Sequence, residues 1–255
     1  MVYPTMLSGI IVEVGADVTS RRNGDRVIAN CDGVSTTSSR SAFQYYVLLS
    51  AADTTLLPAH IPLETGLVLP LACDTAAAGL FMPDQLGLAT SKLSSTSPST
   101  TTAPGPRAGS TLLVWGASSS VGCCAIQMAR ATGYSVLATS SARNHALCES
   151  LGAQRVFDYA DLAVEDAIVQ ACVGRRVVGA LDCICDGEGS LMPCARVLAR
   201  ALEQERQEVE VGQGRDGFMK ISTVLAPPQG AVLPRGVGVT RCKCFLVLKT
   251  CLSSR

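Results

Sequence analysis

The stretch from Leu112 to Gly122 constrains this chain more than any other. Leu112-Leu113-Val114-Trp115 is an unbroken apolar run, and Gly116-Ala117-Ser118-Ser119-Ser120 follows it as a tight turn of small residues. Residues 121–132 then carry apolar side chains at helical spacing and stop at Gly133. A strand apolar on both faces must be covered on both, and a helix that starts at once can cover one of them. The alternation continues downstream. Residues 135–138 predict a strand and 142–151 a helix ending at Gly152; Val156-Phe157 opens a strand, 162–172 form a helix, and 180–184 form a strand. This rhythm predicts an α/β fold, a doubly wound parallel sheet with helices on both faces. Residues 219–225 are a candidate for one more strand. Past Arg200 the pattern decays, and the charged run Glu203-Gln204-Glu205-Arg206-Gln207-Glu208 reads as a solvated helix end or loop.

The upstream part has a different rhythm. Ile10-Ile11-Val12-Glu13-Val14, Arg26-Val27-Ile28-Ala29 and residues 42–49 read as strands separated by turn signals at Gly15-Ala16-Asp17 and Gly24-Asp25. Strands without intervening helices suggest a small β-barrel or sheet. Pro62 marks a helix start, and the Ala- and Leu-rich stretch to Met82 predicts one or two helices around Pro70. Between the two parts, Ser94-Ser95-Thr96-Ser97-Pro98-Ser99-Thr100-Thr101-Thr102 has little to bury and reads as a surface loop. The expected organisation is a β domain over 1–88, a Ser/Thr/Pro-rich loop over 89–108, a nucleotide-binding domain over 109–240 and an atypical tail over 241–255.

Composition narrows the function classes. Lys+Arg 21 balances Asp+Glu 21, and hydrophobic residues reach 47%, so nothing electrostatic points to nucleic acid or an anionic membrane. No basic region followed by an apolar run opens the chain, and the apolar stretch over 66–82 is broken by Pro70 and Asp74. A cytoplasmic location is expected. The 12 cysteines are scattered among Ala, Val and Leu, as buried free thiols would be. Cys183-x-Cys185, Cys242-x-Cys244, the pair Cys123-Cys124, His60 and His145 lack the spacing of a tetrahedral zinc site, so no metal is expected. Cys123 and Cys124 open a helix, a place that can lower a thiol pKa, but packing is the expected role.

The turn at Gly116 has the local form of an anion site, because N–H groups at a helix start point outward with the helix dipole behind them. In G-x-G-x-x-G spacing the three key positions are Ala117, Ser119 and Gly122, so only the last is glycine. Small residues still allow close approach, and the serines can donate to phosphate oxygens. An ordinary crossover turn without a ligand stays open. About 20 residues further on, a fold that prefers NAD carries a carboxylate for the ribose 2′-hydroxyl. Here the sequence reads Thr139-Ser140-Ser141-Ala142-Arg143-Asn144, with no Asp or Glu between Asp84 and Glu149. Hydroxyls, an amide and a guanidinium suit a 2′-phosphate. Ser141 can equally cap the next helix. A short-chain dehydrogenase would need a Tyr-x-x-x-Lys pair, which none of the five tyrosines provides.

Together these residues resemble a family. Val114 to Gly122, Ala138-Thr139-Ser140 through Asn144, Leu151-Gly152-Ala153, Val156-Phe157-Asp158-Tyr159 and Ala180-Leu181-Asp182-Cys183-Ile184 look like the fungal trans-acting enoyl reductases, in the zinc-free quinone-reductase branch of the medium-chain dehydrogenases. Gly24-Asp25-Arg26-Val27, Ala42-Phe43-Gln44-Tyr45-Tyr46 and Leu69-Pro70-Leu71-Ala72 with Thr75-Ala76 agree in order. The resemblance implies a partial GroES-like catalytic domain joined to a Rossmann domain, with NADPH between them. It implies that Ser118, Ser119, Ser120, Val121 and Gly122 hold the pyrophosphate and that Ser141, Ala142, Arg143 and Asn144 hold the adenosine 2′-phosphate. It sets Tyr159 on the adenine side, with packing an equal alternative, and Thr75 near the nicotinamide, with a helix cap or kink as its alternative.

The implied activity is hydride transfer from NADPH to an activated C=C bond of an enoyl or quinone-like substrate, in secondary metabolism. The partners would be a small molecule or acyl thioester and a polyketide synthase. No residue is identified as the proton donor. The family has further chain before Tyr3, a Gly-x-Asp step between Leu7 and Gly9, and further strands after Val237. The sequence therefore reads as shortened at both ends. The alternative is a catalytically inactive nucleotide-binding fragment of such an enzyme.

Overall fold

The structure, a computed structural model, describes residues 6–31, 40–90, 109–208 and 218–242. The sequence-predicted loop over 89–108 and tail over 241–255 lie largely outside the described residues. The chain divides into two compact units, Met1–Asp74 and Thr75–Arg255.

The first unit is a three-stranded antiparallel sheet in the order β1-β2-β3, formed by Met6–Ile10, Arg26–Asn30 and Thr54–Leu56. Leu7 faces Ala29 across β1 and β2, and Val27 faces Leu56 across β2 and β3. Asp25 holds the turn before β2: its carboxylate accepts from Arg22 N at 3.0 Å, while Gly24 takes φ +88°. Two expectations need correction here. The strand expected over Ile10–Val14 lies earlier, over Met6–Ile10. Residues 42–49 form no strand, and Phe43, Tyr45 and Tyr46 are exposed; the third strand is Thr54–Leu56. Two helices follow, α1 (Leu63–Gly66) and α2 (Leu69–Phe81). Pro62 is the N-cap of α1 and Pro70 falls in the first turn of α2, where a missing N–H costs no helical bond. By length and composition alone Leu63–Phe81 could cross a membrane. In the second unit, however, Ala76 and Leu80 of α2 are fully buried in the protein core.

The second unit is a six-stranded parallel sheet. Its strands are β4 (Ser110–Trp115), β5 (Ser135–Ser140), β6 (Arg155–Asp158), β7 (Arg176–Asp182), β8 (Met219–Thr223) and β9 (Val237–Arg241), in the order β6-β5-β4-β7-β8-β9. Its helices are α3 (Ser120–Thr132), α4 (His145–Ser150), α5 (Val164–Cys172) and α6 (Met192–Glu208). All six residues of β4 are buried, and alternate ones serve different cores. Leu112 and Val114 pack with Ala125 and Ile126 of α3, whereas Leu113 and Trp115 pack with Ile168 of α5 and Leu198 of α6. Covering on both faces is why the strand reads as a continuous apolar run. Each such buried Leu or Val stabilises the fold by about 1.5–3 kcal/mol. The fold is therefore the expected α/β doubly wound sheet.

Differences from the sequence reading are local. β7 starts at Arg176 rather than at residue 180. α6 continues through the charged run to Glu208, tied to α5 by Arg196–Glu165 and Arg200–Asp166 ion pairs. β9 carries little strand pattern of its own, since Gly238 interrupts its five residues.

Candidate functional site

In the strand order of the second unit, the chain moves from β4 to β5 and β6 on one side, then to β7, β8 and β9 on the other. The crevice at the carboxyl ends of β4 and β7 is thus the switch point, where open sheets of this kind hold ligands. Gly116 leaves β4 with φ +72°, a backbone region that other residues rarely adopt. Its N–H donates to Thr139 Oγ1 at 3.1 Å, and Ala117 N donates to the Thr139 carbonyl at 2.8 Å, so the end of β5 anchors the turn. Ser119 caps α3 by accepting from Gly122 N at 3.1 Å. A Cβ on Gly122 would lie 2.6 Å from Ala117 Cα, so only glycine lets the helix start this close to the turn. No described residue accepts from the N–H groups of Ser120 and Val121, which are left directed outward at the helix start.

The second group sits at the end of β5. Ser141 occupies the cap position of the short turn Ala142–Asn144, yet its hydroxyl makes no capping bond. It accepts instead from Asn144 Nδ2 at 3.1 Å, and the same amide donates to Ser118 Oγ at 3.2 Å. Ala142 and Arg143 are exposed beside them. The structure thus gathers Ser118 to Gly122 and Ser141 to Asn144 into one cluster. Tyr159 follows β6 further along the same edge and is 52% exposed, so it is not a core residue. Thr75 stands apart. It is buried in α2, and its carbonyl faces the Cys242 thiol at 3.6 Å, next to the carboxyl ends of β8 and β9.

Residues 120–199 match the family described as zinc-binding dehydrogenase. The dehydrogenase pigH of Monascus ruber is 41% identical over 203 residues, covering 77% of this chain and 52% of the relative. The trans-enoyl reductase himH of Aspergillus japonicus is 38% identical, covering 72% and 50%. Residues 120–199 thus carry a zinc-binding-dehydrogenase domain. The chain spans about half the length of the curated relatives it matches. Among solved structures, the CurK enoyl reductase superposes with a TM-score of 0.64 at 17% identity, covering 96% of this chain and 62% of the other. An alcohol dehydrogenase superfamily protein from Novosphingobium aromaticivorans gives 0.63 at 22% identity, covering 98% and 63%. At these identities the two structures speak to the fold.

The dehydrogenase domain also holds a cluster that the sequence reading passed over. Asp182, at the end of β7, is fully buried and accepts from Ile184 N (2.9 Å), Cys185 N (3.0 Å) and Ser190 Oγ (2.8 Å). Burial pushes its carboxyl above the usual range, against the pull of those three hydrogen bonds. In the sequence Asp182 stands within the family-like run Ala180 to Ile184, and nothing there marks its link to Ser190. The domain's thiols behave as packing groups: burial raises Cys123 and Cys148, and lifts Cys172 to about 11. Among the described residues, no three His, Cys, Asp or Glu side chains gather as a metal site would require.

Proposed function

We propose that the chain is the nucleotide-binding part of an NADPH-dependent oxidoreductase that reduces an activated C=C bond of an enoyl or quinone-like substrate. The observation that carries this reading is the turn after β5. Where an NAD site would carry a carboxylate, it has Ser141, Arg143 and Asn144, hydrogen-bonded through Asn144 to the phosphate turn.

The residues fit a dinucleotide. The outward-directed N–H groups of Ser120 and Val121, with the α3 dipole behind them, would hold the pyrophosphate, helped by the Ser118 and Ser120 hydroxyls. Ser141, Arg143 and Asn144 would hold the 2′-phosphate by charge-assisted hydrogen bonds. Tyr159 is assigned to the adenine side and Thr75 to the nicotinamide side. The bound nicotinamide would supply hydride; the chain's own contribution is to bind, orient and exclude water. The antiparallel unit is read as the partial GroES-like catalytic domain. The relatives named trans-enoyl reductase support an enoyl substrate; a thioester form, a polyketide synthase as partner and a place in secondary metabolism belong to the same proposal through the family resemblance. A cytoplasmic location belongs to the same proposal.

The test is titration of the purified chain with NADPH and NADH, followed by NADPH oxidation with enone, quinone and enoyl-thioester substrates. Tighter NADPH binding with turnover on one of these classes is the expected result. Equal binding of the two nucleotides would overturn the cofactor assignment.

A further inference from the structure

We propose that Asp182 is a positioning residue for the dinucleotide: it locks the turn after β7 so that Ile184 forms the apolar wall of the crevice beside the phosphate turn. The proposal rests on the dinucleotide reading above.

The turn over residues 183–186 is tied down from several directions. Asp182 accepts from the N–H groups of Ile184 and Cys185, and Ser190 Oγ donates to its other oxygen. Ser190 Oγ accepts from Asp186 N at 2.9 Å, and Asp186 in turn accepts from Gly189 N at 2.7 Å. Cys185 is held at φ +63°, where an L residue rarely sits. A buried carboxylate that spends its acceptors on one turn gives that turn a single conformation.

What the turn presents is the reason for the proposal. A Cβ on Gly116 would lie 2.5 Å from Ile184 Cγ1, so the Ile184 side chain rests on the first residue of the phosphate turn. Cys183 N donates to the Trp115 carbonyl at 3.0 Å, which ties the same turn to the end of β4. Ile184 is nevertheless 48% exposed. It therefore offers an apolar surface at the switch point, on the β7 side. The groups suited to the adenosine half, Ser141 to Asn144, lie on the opposite side, after β5. A dinucleotide whose pyrophosphate crosses the Gly116 turn would bring its nicotinamide riboside onto Ile184, and its adenosine half would never touch it.

This division gives the experiment. NADPH and adenosine 2′,5′-bisphosphate, which carries only the adenosine half, are titrated calorimetrically into the wild-type chain and into Ile184→Ala, Ile184→Val and Asp182→Asn. Ile184→Ala and Asp182→Asn should each weaken NADPH about tenfold and leave the bisphosphate unchanged. Ile184→Val should keep most of the NADPH affinity. Asp182→Asn should add nothing in the Ile184→Ala background, because it acts through that side chain. If Asp182→Asn fails to fold, Ser190→Ala removes one bond to the same carboxylate and should produce the same selective loss, smaller in size. Equal weakening of both ligands, or full additivity, would show that Asp182 only supports the fold and would overturn the proposal. A wild-type chain that binds the bisphosphate while Ile184→Ala leaves NADPH unaffected would overturn it too, with the dinucleotide reading intact. A wild-type chain that binds neither ligand would overturn that reading, and this proposal with it.

Discussion

Asn144 donates to Ser118 Oγ at 3.2 Å, so the turn after β5 is tied directly to the phosphate turn after β4. One side chain couples the two places where a phosphorylated dinucleotide would carry its charge. Removing it should affect both. Asn144→Ala is expected to lower NADPH affinity by about 1.5–3 kcal/mol, the size of one hydrogen bond to a charged group. Arg143→Ala should cost NADPH alone and bring its affinity close to that of NADH. Calorimetry on both nucleotides checks this, and an Arg143→Ala chain that kept its NADPH preference would count against the assignment.

The main frame of this site was readable in the sequence because its causes are local. A buried strand, a small-residue turn and a helix start follow one another in eleven residues, and Ser119, Gly122 and Gly133 act within a few positions of themselves. The Asp182 cluster was not readable, since its meaning depends on Ser190 eight residues on and on Ile184 meeting Gly116 from another strand. The aromatic run Phe43, Tyr45 and Tyr46 misled for the opposite reason. It has the composition of a strand, but pairing depends on a neighbour, and β2 pairs with Thr54–Leu56 instead. Thr75 and Tyr159 are far apart in sequence from the phosphate turn, and no spacing rule could set them at opposite ends of the sheet.

Gly122→Ala tests the closeness of α3 to its turn. The added methyl would stand 2.6 Å from Ala117 Cα and 2.7 Å from its carbonyl oxygen, and both are backbone atoms that cannot rotate away. A loss of about 1–3 kcal/mol is expected from overpacking. Displacement of the helix start should weaken NADPH binding as well. Denaturant midpoints and nucleotide titration measure the two effects separately.

Alkaline pH should destabilise the second unit. Burial raises the Cys172 thiol from 9.0 to about 11 in the folded chain, so between those values the folded state holds a proton that the unfolded state has released. Stability is then fully present below pH 9 and falls as pH rises toward 11, by at most about 3 kcal/mol for this group. Cys172→Ala should flatten that part of the pH profile of the melting temperature. An unchanged slope would assign the loss to other thiols.

The contact between α5 and α6 offers two kinds of support, and they should differ several-fold in size. Arg196 reaches Glu165 through three hydrogen bonds of 2.6–3.1 Å, but the side chains remain 42% and 25% exposed. Water screens such a pair, and the bidentate geometry does not fully compensate, so Arg196→Ala should cost about 0.5–1 kcal/mol. Leu198, two residues away on the same helix, is fully buried in the core with Leu113, Ile168 and Met219. Leu198→Ala should cost about 2–5 kcal/mol, because it loses the transfer free energy and leaves a cavity between sheet and helix. The salt dependence separates the mechanisms. The Arg196→Ala deficit should shrink in high salt, where the wild-type pair is itself weakened, and the Leu198→Ala deficit should not. Two deficits of equal size, both insensitive to salt, would mean that Arg196 acts through the packing of its aliphatic stem and not through its charge.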